Sequence, residues 1–377
     1  MSNVVIAGYA RSPFHLAGKG ALARVRPDDM AAQVIRGLVE RTGVKAEDIE
    51  DIIMGCAFPE GEQGFNIARL VGLLADLPLS VGGMTVNRFC GSSMSAVHIA
   101  AGQIQLGAGD VFICAGVEAM SRVPMMGFNP LPNPELAKKS AAYMGMGETA
   151  ENVAAKYQIS RAEQEAFAVT SQDKAAAAIA AGKLTDEIVP ITTKGGVVDT
   201  DGTPRPGTTA EGLAGLKPAF HQAGTVTAGT ASPLTDGASA DLVASEDYAR
   251  ANGLPILARV KSVAISGCLP EIMGIGPVES TRKALARAGL SVQDLDVIEL
   301  NEAFASQSLA CIADLGLDPA KVNLDGGAIA IGHPLGATGA RIVGKAAALL
   351  QREGGRYALA TQCIGGGQGI ATILEAV

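Results

Sequence analysis

Tryptophan is absent, and aromatic residues make up only 4 % of the 377 positions. A core organised around large rings is thereby excluded. The 47 glycines and the many alanines fit close packing of helices on sheets instead. No run of Lys and Arg occurs and the net charge is −8, which argues against a nucleic-acid or anionic-membrane surface. A phosphate-bearing ligand stays compatible, because a few local basic groups suffice. No apolar run approaches the roughly 20 residues of a spanning helix. The opening "MSNVVIAGYARSPF" reads as a strand and a turn, without the basic lead and long apolar stretch of a secretory signal. A cytoplasmic protein is expected. The cysteines, Cys56, Cys90, Cys114, Cys268, Cys311 and Cys363, stand far apart with no CxxC pair. That argues against zinc. Free thiols are expected, most of them small apolar core residues.

What is present alternates strand and helix. "VVIAGYA" is strand-like, and "RPDDMAAQVIRGLVERTG" places Met30, Val34, Ile35, Leu38 and Val39 at helical spacing. Pro27 suits its first turn and Gly43 its end. "DIIMGCAF", "MTVNRFC" and "DVFICAG" read as short buried strands, and "SMSAVHIAAGQIQLGAG" as a helix with Met94, Val97, Ala101 and Ile104 on one face. The rhythm returns later. "GVKAEDIEDIIMG" (43–55) resembles "GLSVQDLDVIELN" (289–301), and "KVNLDGGAIAIGHPLGATGARIVGKAAALLQ" echoes "TVNRFCGSSMSAVHIAAGQIQ" in order and position. Two related α/β halves are expected. Residues 1–122 with 236–256 form the first and 257–377 the second. Between them lies a different region, 123–235, with one clear helix capped by Ser160 and Glu163 and closed by Gly182. Its stretch "KGGVVDTDGTPRPGTTAEG" reads as exposed loop, of a kind that supplies ligand contacts over a rigid core.

Four segments carry candidate chemistry. In "VNRFCGSS", Cys90 falls between a strand end and a helix start, where free N–H groups and the helix dipole favour a thiolate. A buried structural cysteine fits that local context equally well. His98, eight residues on, is about 12 Å away along a helix and too far to act as its base. His333 stands in "NLDGGAIAIGHPLGATGARI", before a helix start matching that of Cys90. If the halves are related by a twofold axis, the two starts converge. Cys363 stands in "LATQCIGGGQGIATILEAV". That segment is either a flexible hairpin turn or a second thiol beside N–H groups free to bind an oxyanion. Asn301 ends a strand in "ELNEAFAS", as a water or carbonyl ligand or as a helix cap.

Together these motifs resemble the thiolase family, in the family's order and spacing: "NRFCGSS", "NEAFA", "GGAIAIGHPLGATGAR" and "CIGGGQG", strengthened by "EQGFNIAR", "GTVTAGTASPLTDGA" and "IMGIGP". The likeness runs the whole chain and leans to the bacterial 3-ketoacyl-CoA type. It implies a five-layer αβαβα fold from two related halves with an inserted, CoA-binding loop domain. It implies Cys90 as nucleophile and His333 as its activator and an oxyanion donor, with Asn301 holding a water there. Cys363 becomes the second acid/base, and the N–H groups of Cys90 and Gly365 the other oxyanion hole. Ser232, Arg205, Met146 and Ala303 fall where the family contacts coenzyme A, which is a co-substrate; no tightly bound cofactor is implied. A homodimer or homotetramer follows, with other beta-oxidation enzymes as further partners. One departure bears on chain length. The acetoacetyl-CoA type has His before the Met-Gly pair at 146–147, where this chain has Gly145. "CGSSM" also leans to the degradative type.

Three rivals differ in residues. A ketoacyl synthase pairs Cys with two His, or with His and Asn, and lacks a Cys363 motif. A non-catalytic acyl-CoA-binding relative would have lost catalytic residues, and none is lost. A papain-like hydrolase suits the Cys–His–Cys set poorly.

Overall fold

The computed structural model describes residues 2–377. Its elements fall into two runs of the same order. The first contains β1 (Val4–Arg11), α1 (Pro27–Thr42), β2 (Asp51–Gly55), α2 (Ile67–Leu74), β3 (Gly82–Val86), α3 (Ser92–Leu106) and β4 (Val111–Ala119). After an excursion that includes α4 (Met146–Tyr157) and α5 (Arg161–Ala180), β5 (Thr235–Ser245) closes it. The second contains β6 (Ala258–Gly267), α6 (Gly276–Ala288), β7 (Val297–Leu300), α7 (Ala305–Leu315), α8 (Leu335–Glu353), β8 (Tyr357–Ile364) and β9 (Gln368–Glu375).

The strands run in the order β7-β8-β9-β6-β1-β5-β4-β2-β3. Each half has the same ladder. Parallel pairs (β2 with β3 and β4; β7 with β8) lead into antiparallel ones (β4–β5–β1; β8–β9–β6). Where β3 stands in the first half, the second has only a single bridge, Ile298 to Val322. The halves join through two residue pairs, Val5 with Arg259 and Ile6 with Ala258.

Side-chain alternation along the strands builds the layers. Ile52 and Met54 face α1 and α2, whereas Ile53 between them packs with α3 and α8. Likewise Leu359 faces α6 and α7, and its neighbours Ala358 and Ala360 face α8. Three apolar cores result: outer helices on the first sheet half, the central α3/α8 layer, and outer helices on the second. That is the five-layer arrangement expected. Small residues make the centre close. Ser93 of α3 accepts a hydrogen bond from the Ala340 N–H of α8 at 2.8 Å.

The predicted caps form. Pro27 opens α1 and Gly43 closes it in the left-handed region. Ser160 and Glu163 make a capping box on α5, with Gly182 at φ 69° beyond its end. The exposed-loop reading of 194–212 holds for most of the stretch, with two exceptions. A small hairpin, Ile191–Thr193 with Gly196–Val198, occupies its start. Asp201 turns inward to grip the buried Arg11 guanidinium at 2.7 and 2.8 Å. A carboxylate with a buried arginine partner 190 residues away is invisible to local sequence.

Candidate active site

Two helix starts meet above the centre of the molecule. After β3 the chain turns at Phe89, held at φ 44°, and presents Cys90 just ahead of α3. A bulky residue in that region is strained and is held by its surroundings. Here Asn87 Oδ1 accepts the Phe89 N–H (2.8 Å), while Ser92 Oγ donates to the Phe89 carbonyl (2.6 Å) and accepts the Arg88 N–H (2.8 Å). In the second half Gly332, at φ 108° and ψ 164°, makes the equivalent turn and presents His333 ahead of α8. Those angles belong to glycine. The third arm is the β8–β9 hairpin. Cys363 sits at the end of β8 opposite Gly369, and Gly366 and Gly367 carry positive φ in the turn.

Cys90, His333, Cys363 and Gly365 line one cavity of about 740 Å³. Met146, Ser232 and Ala303 line it too. The backbone N–H groups of Gly365 and of Cys90 itself act on the Cys90 sulfur, each pulling its pKa down. The same two donors can serve an oxyanion formed on a carbon bound to that sulfur. Ser232 and Ala303 meet: Ser232 donates from both Oγ (3.1 Å) and N (3.0 Å) to the Ala303 carbonyl. The Met146 sulfur lies over Gly365, 3.5 Å from where a side chain there would begin. Asn301 stands behind the cavity wall, its Nδ2 3.4 Å from His333 Nε2. Arg205 is not brought in. It lies on an exposed loop, where its N–H bonds Gln172 Oε1 at 2.8 Å. His98, as expected, is a packing residue, with Nε2 2.8 Å from Thr372 Oγ1.

The electrostatics correct one expectation. A helix start favours thiolate, yet burial pushes the Cys90 thiol up to about 12, against the two N–H groups that pull it down. Desolvation outweighs the dipole here. Burial raises Cys363 well above the ordinary thiol value, with Cys90 the next cause. Burial lowers His333 to about 3, with the Arg341 charge adding to it. At neutral pH the resting site therefore holds two thiols and a neutral imidazole. His333 Nδ1 is 2.7 Å from Thr338 Oγ1. With the proton on Nδ1 and Thr338 accepting it, Nε2 keeps its lone pair as a base.

Sequence reasoning missed three supports. Glu118, fully buried on β4, accepts from the N–H groups of Ala57 (2.8 Å), Phe58 (3.2 Å) and Gly336 (3.0 Å) and from Gln63 Nε2 (2.7 Å). It ties the start of α8 to Phe58, whose ring stands 5.9 Å from that of Phe89. Gln362 Nε2 donates to the Cys90 carbonyl, and Thr338 fixes the imidazole. Only Thr338 had a local signal, its place five residues after His333 in a helix start.

A family model described as "Thiolase, N-terminal domain" matches residues 4–247, and one described as "Thiolase, C-terminal domain" matches 254–376. A protein of Bacillus subtilis named 3-ketoacyl-CoA thiolase is 47 % identical over 389 residues, covering 100 % of both chains. One of Shewanella frigidimarina with the same name is 50 % identical over 390 residues, again with 100 % of both covered. Among solved structures, the Bacillus anthracis acetyl-CoA acetyltransferase superposes with a TM-score of 0.93 at 41 % identity, covering 100 % of this chain and 99 % of that one. Human mitochondrial 3-ketoacyl-CoA thiolase in complex with CoA gives 0.92 at 38 %, covering 100 % and 98 %.

Proposed function

The chain belongs to the thiolase family, and from that premise we propose that Cys90, His333, Cys363, Asn301 and Gly365 carry its chemistry. The protein is an acyltransferase that cleaves a 3-ketoacyl-CoA with CoA, giving acetyl-CoA and a shortened acyl-CoA. The observation supporting the residue roles is the gathering of both thiols and a neutral imidazole around one cavity that Gly365 also lines.

In the proposed sequence, Cys90 Sγ attacks the ketone carbon as its proton passes to His333 Nε2. A thiol near 12 facing a neutral base calls for transfer during attack rather than a standing thiolate. The tetrahedral oxyanion rests on donors from one hole. The carbon–carbon bond then breaks, leaving an acyl thioester on Cys90 and the enolate of acetyl-CoA. Cys363 gives the enolate carbon its proton. Free CoA enters, loses its thiol proton to a base of the site, and attacks the thioester, so that Cys90 leaves. One oxyanion donor contributes on the order of 3 kcal/mol to such steps. Asn301 and a water it holds complete the second hole with His333.

Residues 123–235 act as the CoA-binding domain over the two halves, 1–122 with 236–256 and 257–377. Ser232, Ala303 and Met146 face the pantetheine arm. The exposed Arg205 suits the phosphate-bearing end of CoA, which stays in solvent reach. The chain works as a homodimer or homotetramer in the cytoplasm, alongside other beta-oxidation enzymes. In support of assembly, β3 ends the strand order and pairs only with β2. No helix among the described residues is long and apolar enough to cross a membrane. No tightly bound cofactor takes part.

The likeness to the acetyl-CoA acetyltransferase keeps a short-chain, biosynthetic reading in view. Rates over short, medium and long 3-ketoacyl-CoAs separate the two, and the degradative reading expects activity beyond the shortest chain. For the function itself, the protein mixed with CoA and a 3-ketoacyl-CoA is expected to form acetyl-CoA and shortened acyl-CoA in equal amounts, with parallel double-reciprocal plots. Binding without products would instead support a non-catalytic acyl-CoA-binding protein.

A further inference from the structure

A buried ion pair lies directly behind the site, and the chemistry above makes no use of it. Glu299 is on β7, two residues before Asn301. Its neighbours Ile298 and Leu300 face the outer helices, so Glu299 faces α8. There the Arg341 guanidinium meets it at 3.3 Å, with side-chain exposures of 0 % and 1 %. The contact is a poor one. Neither Glu299 oxygen and neither Nε nor Nη2 of Arg341 has a hydrogen-bond partner. Across the same interior, Tyr9 and Asp241 pair directly on β1 and β5, and their hydroxyl and carboxyl oxygens are also without partners. A desolvated pair with such geometry contributes little or nothing to stability. The rest of the buried charge is well matched. Lys345, one turn along α8, holds Glu187 at 2.8 Å and Asp325 at 2.7 Å, and Arg11 holds Glu187 at 2.7 Å.

The pair is well placed to act on the imidazole. Arg341 stands one helical turn after Thr338, which holds His333 Nδ1. Glu299 is joined to Asn301 through one residue, and Asn301 reaches His333 Nε2. We propose that Glu299 is a positioning residue that acts through Arg341: by neutralising the guanidinium it preserves the basicity of His333 and so sets the acid side of the pH profile. This rests on His333 being the base for Cys90.

The sign is fixed by the charges. Arg341 lowers His333. With Glu299 ionised, that field is opposed. With Glu299 protonated, it bears fully on the imidazole, which becomes a weaker base for the Cys90 proton. Burial raises Glu299 to about 7, against the pull of Arg341 and Lys345 and with Asp325 and Glu187 adding to it. From the other side, Glu302 accepts from Ser171, Asn323 and the Ile329 N–H and also feels the Arg341 charge, and Lys174 donates to the Val322 carbonyl and feels Glu302 and Glu299; both groups are left in place in the variants below. Asp241 is raised well above the carboxylate range by burial and does not supply the opposing charge.

The test is the rate of acetyl transfer from acetyl-CoA to the protein, followed by intact mass across pH. The wild type is expected to lose rate as pH falls through about 7. Glu299→Gln, with Arg341 left unopposed, should be roughly tenfold slower at neutral pH, one pKa unit of base strength, with KM little changed and the acid limb gone. Glu299→Gln with Arg341→Gln removes both charges and should recover most of the rate while still lacking the limb. Thermal melts check folding. If the single variant does not fold, the double variant carries the test alone. A single variant with wild-type rate and limb, or a double variant that keeps the limb or is no faster than the single, overturns the proposal. A wild type that takes up no acetyl group would instead overturn the site reading beneath it.

Discussion

Cys363→Ala is expected to lower cleavage of a 3-ketoacyl-CoA by about 10²- to 10⁴-fold, the range of a lost general acid/base, with CoA still bound. Cys363 is 1 % exposed, lines the same cavity as Cys90, and stays protonated because burial holds its pKa high. An acid of that kind keeps its proton in water-poor surroundings and yields it to something more basic, which an enolate carbon is. Alanine keeps the apolar volume nearly intact, so the hairpin should hold. The loss should also be selective. Breaking the carbon–carbon bond requires a proton on carbon. Exchange of a simple acyl group between CoA and Cys90 does not, and should fall less. Equal losses in the two reactions would point to a distorted pocket, and undiminished cleavage would remove Cys363 from the mechanism.

His333→Ala is expected to cost more, because one ring has two duties. As base toward Cys90 it contributes about 10²- to 10⁴-fold. As an oxyanion donor it contributes up to about 10³-fold. The two are not additive, since proton transfer and charge stabilisation occur in one transition state. A loss of roughly 10⁴-fold in cleavage is expected, with slowed acylation of Cys90 visible before the first turnover. The ring is unusually dependent on its setting. Burial and Arg341 lower it to about 3, so its use as a base depends closely on what surrounds it. Thr338 at 2.7 Å, the Thr235 hydroxyl at 3.1 Å from its backbone N–H, and Asn301 at 3.4 Å provide that geometry. A variant that retains wild-type acylation would show that Cys90 loses its proton by another route.

Much of this was readable in advance because the signals were local or repeated. The echo of 43–55 in 289–301 marks β2 and β7. The placing of Cys90 and His333 at matching helix starts follows from the same repeat, and the "GGGQG" turn follows from glycine alone. What stayed hidden depends on partners far along the chain. Glu118 reaches Gly336 across 218 residues and Gln362 reaches Cys90 across 272. Phe89 at φ 44° has no sequence mark, since nothing local favours a phenylalanine there. The thiol state of Cys90 is hidden for a related reason: the helix start is a local feature, whereas the burial that outweighs it depends on the folded surroundings. Arg205 shows the reverse, a residue singled out by likeness that stands apart from the cavity in this conformation.

The most direct measurement is the site of acyl attachment. After brief mixing with acetyl-CoA, intact mass and peptide mapping should find one acetyl group per chain, on the peptide holding Cys90, removed by added CoA and missing from Cys90→Ser. An acetyl group on Cys363 or elsewhere, or one that persists in Cys90→Ser, would contradict the assignment of Cys90 as the acyl carrier.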